Sequence, residues 1–526
     1  MTNEMVFSEL TPVAFAERAA KVFPDRLAVV DGGLRYSYAE LWQRVQALAG
    51  VLTEYVRPGD RVAVLAPNTH VLLEAHYGVP LAGAVLVALN TRLSPAETAY
   101  ILDHSGASVV IVDADCREAL TEALKHSTVR PTVIDSGGPR DEYESLVTGA
   151  TAQATAVTDE RSLLSINYTS GTTGRPKGVM YHHRGAYLQA LAMAYHAKLD
   201  TSSRYLWTLP MFHTNGWCFP WAVTAAGAVH HCLRKVDPAQ IWRAIHEDGV
   251  SHFCAAPTVL AMLAEDPAAA VPAPRPVQVF VGGAPPSPAL LAKTDRLGIH
   301  TRHLYGLTET FGPAVVCEWQ PEWHALSPQS RAPLVARQGI ANIVAEPLRV
   351  VDARGADVPA DASTLGEILL RGNNLMLGYY RDDEATAAAA TADGWFRSGD
   401  LGVMHPDGYV ELRDRAKDVI VSGGENITSV EVENALAEHP AVLDAAVVAM
   451  PHPKWGEVPV AYVTLRTDAS IEEAELIAFV RERIARFKAP HRVIFGVLPK
   501  TSTGKIQKDL LRGRAVHPPL DRPRRR

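Results

Sequence analysis

Between Tyr168 and Val179 the chain reads YTSGTTGRPKGV, and the residue types gathered there suit one task, gripping the phosphates of a nucleotide. The hydroxyls of Ser170, Thr172 and Thr173 can donate to phosphate oxygens, while Gly171, Gly174 and Gly178 let backbone amides approach an anion closely. Lys177 adds a point charge on a flexible stem. The order differs from the G-x-x-x-x-G-K-[ST] loop, because Pro176 precedes the lysine and Gly178 follows it, so this is a different phosphate loop. Glycine, serine and threonine also make plain surface turns. The rest of the chain decides between the two.

Other segments carry side chains suited to the same chemistry. YGLTET (305–310) supplies Tyr305, Gly306, Thr308 and Glu309, and GGAPP (282–286) precedes it with Gly282, Gly283, Ala284 and Pro285. GWFRSGDLG (394–402) holds Asp400, whose ionised carboxylate can accept from two neighbouring hydroxyls at once. DRAKD (414–418) holds Arg415 and Lys417, SGGENI (422–427) presents Gly423 and Gly424, and PKTSTGKIQK (499–508) contains Lys505. Each has a bland reading when taken alone. Glu309 is then a solvent-facing acid, Asp400 a turn residue after Gly399, the Gly423–Gly424 pair a simple turn, and Lys505 part of a basic face with Lys500 and Lys508.

In this order the segments resemble the adenylate-forming superfamily, which contains acyl-CoA synthetases, peptide-synthetase adenylation domains and beetle luciferases. The resemblance extends over essentially the whole chain. It implies activation of a carboxylic acid by ATP to an acyl-adenylate, then transfer of the acyl group to CoA. Two anions must meet in the first step, and positioning, cations and a metal ion are the remedies for their repulsion. Residue by residue, the resemblance makes Thr169, Ser170, Gly171, Thr172, Thr173, Gly174 and Lys177 the phosphate grip. It makes Gly283, Ala284 and Pro285 the adenine pocket, Tyr305 the adenine-stacking residue, Thr308 an α-phosphate ligand and Glu309 the Mg2+ ligand. Asp400 and Arg415 would hold the ribose. Lys505 would reach the carboxylate and α-phosphate from a small C-terminal domain that swings about a hinge at Lys417. After the swing, Gly423 and Gly424 would line the passage for the pantetheine arm of CoA.

PMFHTNGW (210–217) resembles the segment that walls the acyl site. Peptide-synthetase domains carry an aspartate after the phenylalanine to hold an amine, whereas this chain has His213, which disfavours an α-amino acid. His213 beside Phe212 looks like the aromatic gate on the nucleophile's path, with a buried, satisfied histidine as the alternative. Trp217 stands where some fatty-acyl-CoA synthetases have a gating tryptophan, and Gly282 and Gly306 complete the acyl wall. The pattern most resembles plant and bacterial acyl-activating enzymes that take short to medium aliphatic or aryl acids. An enzyme confined to the thioester half-reaction, or one loading a carrier protein, would carry almost the same motifs.

These residues need a scaffold, and 526 residues at 47% hydrophobic can bury more than one core. Apolar runs at 61–65, 84–87, 108–112 and 163–168 read as short buried strands, and 38–54 and 186–197 as helices. That alternation predicts layered α/β subdomains with largely parallel sheets. The strand at 163–168 feeding a loop and then a helix would set an anion at a helix N-terminus. Short strands with turn signals over 348–412 predict a small β-barrel-like subdomain, and 385–390 reads as a helix. A charged connector at 413–418 leads to a mobile α+β domain with helices at 429–438 and 472–486 and strands at 441–448 and 461–465. The expected domains are 1–416, with the acyl and ATP sites, and 417–526.

A formal charge of −7, from 51 Lys and Arg against 58 Asp and Glu, offers no basic field for nucleic acid or an anionic membrane. The expected partners are a small carboxylic acid, ATP and CoA, with a homodimer as a possible assembly. The terminal arginines at 522 and 524–526 read as a solvated tail. The cysteines, Cys116, Cys218, Cys232, Cys254 and Cys317, show no C-x-x-C spacing and fit a reducing compartment. No basic-then-apolar leader or S-K-L ending is evident, and the run at 79–89 is too short to span a bilayer, so a cytoplasmic location is expected.

Overall fold

A computed structural model describes residues 7–139, 141–169, 175–500 and 506–516. The apolar runs form strands because β-branched residues buried on both faces fit a parallel sheet. RVAVL is the strand Arg61–Leu65, SVVIV lies within Ala107–Asp113, and the run expected at 84–87 sits one residue later at Val85–Ala88. One sheet of six strands runs Thr132–Ser136, Ala107–Asp113, Arg61–Leu65, Val85–Ala88, Leu163–Tyr168 and Gly178–His182. All neighbours in it are parallel except the last pair.

A second sheet of nine strands has at its centre the parallel series Leu27–Asp31, Val229–Cys232, Arg204–Leu206, His252–Ala255, Val277–Val281 and Ile299–Leu307. Antiparallel strands close its flanks, Leu34–Ser37 on one side and Gly312–Val316 and Ile340–Ala341 on the other. Helix Tyr38–Thr53 starts in a capping box: Ser37 Oγ accepts from Glu40 N, and the Glu40 carboxylate accepts from Ser37 N at 2.7 Å. It packs against helix His70–Leu81 at Gly78, where an added Cβ would lie 2.7 Å from Leu48. Trp207, Trp221, Tyr38, Tyr77 and Tyr181 are among the largest fully buried side chains there.

The chain divides into two compact units. The first takes the described residues to Thr169, Arg175–Pro347 and Leu370–Phe396; the second takes Leu348–Leu369 and the described residues from Arg397 on. In the second unit, strands Arg349–Val351, Gly366–Leu370, Phe396–Met404 and Val410–Arg415 form a four-stranded sheet. This corrects the barrel-like expectation: the sheet is open, with 349–351 and 410–415 at its edges, and four strands are too few to close on themselves at normal tilt. The connector expected from 413 is strand as far as Arg415. Beyond it, Glu425–Ile427, Ile420–Ser422, Gly456–Leu465, Val442–His452 and Arg492–Phe495 make a five-stranded sheet, with helices Ser429–Ala437 and Glu473–Arg481 contributing to its core. No helix among the described residues is long and apolar enough to cross a membrane.

An ion network ties the early elements of the first unit together. Arg44 Nε lies 2.6 Å from Glu74 Oε1 and its Nη2 2.6 Å from Glu144 Oε1; His70 bonds Asp31 Oδ2 at 2.7 Å and Glu144 Oε1 at 3.0 Å. Burial opposes the charged imidazole, but the bonds to Asp31 and Glu144 outweigh it and lift His70 to about 9 from an ordinary 6.5. A raised folded-state value stabilises fully below the ordinary value and is lost as pH rises through the folded one. In urea titrations, the stability difference between the native protein and His70→Gln should therefore shrink by roughly 1–3 kcal/mol between about pH 6.5 and pH 9. A difference that stays flat over that window would show that His70 is not charged in the fold.

Candidate active site

The loop after Tyr168 joins two strands. Leu163–Tyr168 pairs antiparallel with Gly178–His182, with Tyr168 opposite Gly178, and Thr169 N donates to Lys177 O at 3.0 Å. This corrects the expected strand, loop and helix order: helix His183–Ala197 starts only after the second strand. The reason lies at 178–182, whose outer edge is taken by another segment, with Met180 N donating to Gly378 O and Tyr380 N to Gly178 O. Pairing on both edges satisfies the backbone as strand, and among the described residues no helix N-terminus borders the loop. Gly178 is required by its neighbours, since a Cβ there would lie 2.9 Å from Ile166 and 3.2 Å from the Tyr168 ring. Ser170, Gly171, Thr172, Thr173 and Gly174 lie outside the described residues, as does Lys505.

Three motif segments leave the carboxyl ends of parallel strands in the nine-stranded sheet, the edge where open α/β sheets place ligands. Strand Arg204–Leu206 runs into 207–217, Val277–Val281 into Gly282–Pro285, and Ile299–Leu307 carries Tyr305 and Gly306 into the short turn Thr308–Thr310. Gly283, Ala284 and Pro285 are exposed, whereas Tyr305 is buried. At Gly306 a Cβ would sit 2.0 Å from Gly312 O, so the hairpin backbone closes only over a residue without a side chain.

Around Glu309 the tertiary structure adds residues that no sequence motif marked. Tyr379 Oη donates to Glu309 Oε1 at 2.7 Å, and the Lys177 ammonium stands 4.6 Å from the centre of the Tyr379 ring. Tyr181 Oη donates to Thr308 O at 2.6 Å and its ring stacks on Phe311 at 3.9 Å. Burial, then the Glu309 carboxylate, pushes the Tyr379 phenol well above its ordinary value, so Tyr379 remains a donor at neutral pH. Lys177, Tyr379, Glu309 and Thr308 thus form one connected group. Mg2+ is commonly held by one or two carboxylates together with substrate phosphates. A single carboxylate at Glu309 fits that mode, and no cluster of three acidic, His or Cys groups able to cage a metal occurs among the described residues.

The segment 210–217, expected to wall the acyl site, takes an unusual backbone path. Thr214, Asn215, Gly216, Trp217 and Cys218 all have positive φ, between 39° and 63°, so the chain makes a left-handed turn. Gly216 does this freely and Asn215 more readily than other side chains; for Thr214, Trp217 and Cys218 the conformation costs roughly 1–2 kcal/mol per residue. Backbone bonds from Gly216 N to His213 O and from Cys218 N to Asn215 O close the turn, at 2.8 and 3.0 Å. It points the Trp217 indole at Gly282, where a Cβ would lie 2.8 Å from the ring. Phe212 and Trp217 are buried and His213 half-buried. Asn68, missed by sequence reading, fixes the approach by donating to Trp207 O and Leu209 O and accepting from Met211 N.

In the second unit, Asp400 and Arg415 face each other across the antiparallel strands, with Arg415 Nε 3.2 Å from Asp400 Oδ1 and the carboxylate side chain 4% exposed. Lys417 follows the strand and reaches Asp509 at 3.5 Å. Gly423 and Gly424, with φ of 61° and 88°, are the two-residue loop of a hairpin between Ile420–Ser422 and Glu425–Ile427. Such a loop demands positive φ at both positions, so the turn itself calls for glycine. Trp455 covers Gly423, its ring 3.0 Å from where a Cβ would be.

Comparison with known proteins decides the family. A model for the AMP-binding enzyme matches residues 16–380, and one for the AMP-binding enzyme C-terminal domain matches 431–505. The chain belongs to the AMP-binding enzymes. An acetate–CoA ligase of Humulus lupulus is 43% identical over 98% of this chain and 96% of its own length, and an acetate/butyrate–CoA ligase of Arabidopsis thaliana is 42% identical over 97% and 95%. The o-succinylbenzoate CoA synthetase of Bacillus subtilis, solved with its acyl-adenylate intermediate, superposes with a TM-score of 0.83 at 28% identity, covering 96% of this chain and 98% of that one. This AMP-binding enzyme is thus an acyl-CoA synthetase of the adenylate-forming superfamily, which activates an acid with ATP through an acyl-adenylate and passes the acyl group to CoA.

Proposed function

We propose that the acid is a short aliphatic one, and that the motif residues act in the roles their positions suggest. The observation that carries the choice of acid is the Trp217 indole lying against Gly282, which fills the end of the acyl wall with an aromatic plate. Relatives named for acetate, butyrate and 2-methylpropanoate agree with a shallow pocket.

In the first step a carboxylate oxygen of the acid attacks the α-phosphorus of ATP. A new P–O bond forms, the bond to the β-phosphate oxygen breaks, and pyrophosphate leaves. Thr169 through Gly174 and Lys177 hold the β- and γ-phosphates, Thr308 the α-phosphate, and Gly283, Ala284, Pro285 and Tyr305 the adenine. Glu309 would hold Mg2+, which supplies positive charge against the phosphate oxygens. Lys505 steadies the attacking carboxylate. After a swing about Lys417, the CoA sulfur attacks the acyl carbon past Gly423, Gly424 and the gate at Phe212 and His213; the C–O bond to AMP breaks and the thiol proton passes to solvent. A domain boundary at 416/417 belongs to this reading.

Asp400 and Arg415 bind the ribose, with Asp400 accepting from both hydroxyls. Asp400→Ala should weaken ATP binding by about 1.5–3 kcal/mol, the worth of a charge-assisted hydrogen bond. Calorimetric titration measures it directly, and an unaltered ATP affinity would remove Asp400 from the ribose.

The test of the whole reading is turnover with ATP, Mg2+ and CoA over a panel of aliphatic, aryl and bulky acids, run beside the matching acyl-adenylates, with acyl-CoA read by mass. Acyl-CoA from short free acids supports it. Product from adenylates alone would leave only the thioester half-reaction, and a preference for bulky acids would overturn the shallow pocket.

A further inference from the structure

A run of left-handed residues persists only where its surroundings hold it there. The turn at 214–218 is held from its middle, by Asn215. Asn is the side chain after glycine best suited to this conformation, and Asn215, at φ 39° and ψ 51°, is fully buried. Every polar group of its side chain is used. Its Oδ1 accepts from Ser165 Oγ at 2.6 Å and from Asn167 Nδ2 at 2.5 Å, and its Nδ2 meets His76 Nε2 at 3.0 Å. Its backbone N donates to Asn167 Oδ1 at 2.9 Å, completing a reciprocal pair with that residue.

His76 is set to accept. Its Nδ1 lies 2.7 Å from Leu72 O, which requires the proton on Nδ1 and leaves Nε2 bare for Asn215. Burial pulls His76 down to about 4, so it stays neutral across the working range. The partners are themselves rigid: His76 belongs to helix His70–Leu81, and Ser165 and Asn167 stand on the strand Leu163–Tyr168 that opens the phosphate loop. The turn carries two groups toward the site. Thr214 Oγ1 stands 3.4 Å from Thr308 Oγ1, and the Trp217 indole abuts Gly282.

We propose that Asn215 is a positioning residue that sets acyl-chain selectivity: its ties to Ser165, Asn167 and His76 fix the left-handed turn and hence where Trp217 closes the acyl pocket. This rests on the assignment of 210–217 to the acyl wall. Asn215 touches no reacting atom and acts through Trp217.

The test compares Asn215→Gly, Ser165→Ala and Trp217→Ala, each assayed for kcat and KM with unbranched acids of two to eight carbons and for thermal midpoint. Glycine keeps the left-handed backbone without strain and removes only the side-chain ties. The expected result for Asn215→Gly is a change of about tenfold in the ratio of kcat/KM between acids two carbons apart, within the range a pocket wall controls. Ser165→Ala, which deletes one donor to Oδ1, should move the ratio the same way by a smaller factor. A purely structural role would lower the midpoint and depress all acids alike, leaving the ratio native. If Trp217→Ala shifts the ratio while Asn215→Gly and Ser165→Ala keep it, the inference about Asn215 is overturned and the acyl wall stands. If Trp217→Ala also keeps the native ratio, the wall assignment falls and the inference with it. Should Asn215→Gly fail to fold, Ser165→Ala decides alone, a native ratio there being the overturning result.

Discussion

Glu309→Gln is expected to slow acyl-adenylate formation by about 10²–10³-fold, the scale of losing one preorganised electrostatic group at the reacting centre. The exchange isolates charge. Glutamine fills the same volume, and its amide oxygen can still accept from Tyr379 Oη, now 2.7 Å from Glu309 Oε1. What disappears is the negative charge proposed to hold Mg2+ beside the phosphates. Pyrophosphate exchange driven by the acid should therefore collapse, while acyl-CoA formation from supplied acyl-adenylate should stay within a few-fold of the native rate. The concentration of Mg2+ needed for half-maximal exchange should rise as well. Tyr379→Phe is the matching control: it removes the hydrogen bond but keeps the charge, and should cost distinctly less. Equal exchange rates in Glu309→Gln and the native protein would remove Glu309 from the metal site.

Lys508→Met should destabilise the second unit by about 3–5 kcal/mol, the usual result of removing one partner from a largely buried ion pair. The Lys508 ammonium lies 2.7 Å from Glu433 Oε1 and 2.5 Å from Ser429 Oγ. Asp414 accepts from both the backbone N and the Oγ of the same serine. Burial raises Glu433 and Asp414 above the ordinary carboxylate range; it also works against the Lys508 charge, but the two carboxylates outweigh it and hold Lys508 high. Without the lysine, Glu433 and Asp414 remain together in a poorly hydrated place. Hydrogen exchange should show the loss as faster exchange in the strands 442–452 and 456–465. Changing Glu433 to leucine in the same chain should recover much of it, since an apolar pair of similar size avoids the desolvation cost. Native-like protection in Lys508→Met would mean the carboxylates are better hydrated than the structure shows.

These two sites differ in how far the sequence announces them. Glu309 was singled out because YGLTET is one contiguous run that resembles a nucleotide-binding segment. Lys508 was noticed only as part of a basic face, because its partners lie at 414, 429 and 433 and the sequence gives no sign that the chain returns there. Tyr379 and Asn215 were invisible for the same reason: a tyrosine after glycine and an asparagine before glycine are common, and only the fold sets one against Glu309 and the other between two strand residues and a helix histidine. The fold class was readable from the apolar runs, with Arg61–Leu65 and Leu163–Tyr168 correct to the residue. The strand at 178–182 was not, because its strand character comes from pairing with 163–168 and 377–380, partners that local pattern cannot reveal.

What the sequence determined by itself was the chemistry. Short contiguous runs of glycines, hydroxyls, a lysine and carboxylates, in the order of the adenylate-forming superfamily, mark a nucleotide-binding enzyme, because groups that meet one ligand can be supplied by neighbours in the chain. The tertiary structure alone decided the support of those groups: the pairing of strands 163–168 and 178–182, Tyr379 on Glu309, and the left-handed turn that aims Trp217 at Gly282. Each depends on contacts between residues tens to hundreds of positions apart. Such contacts form only when the packed sheets bring them within hydrogen-bonding distance, and their residue types alone do not disclose them.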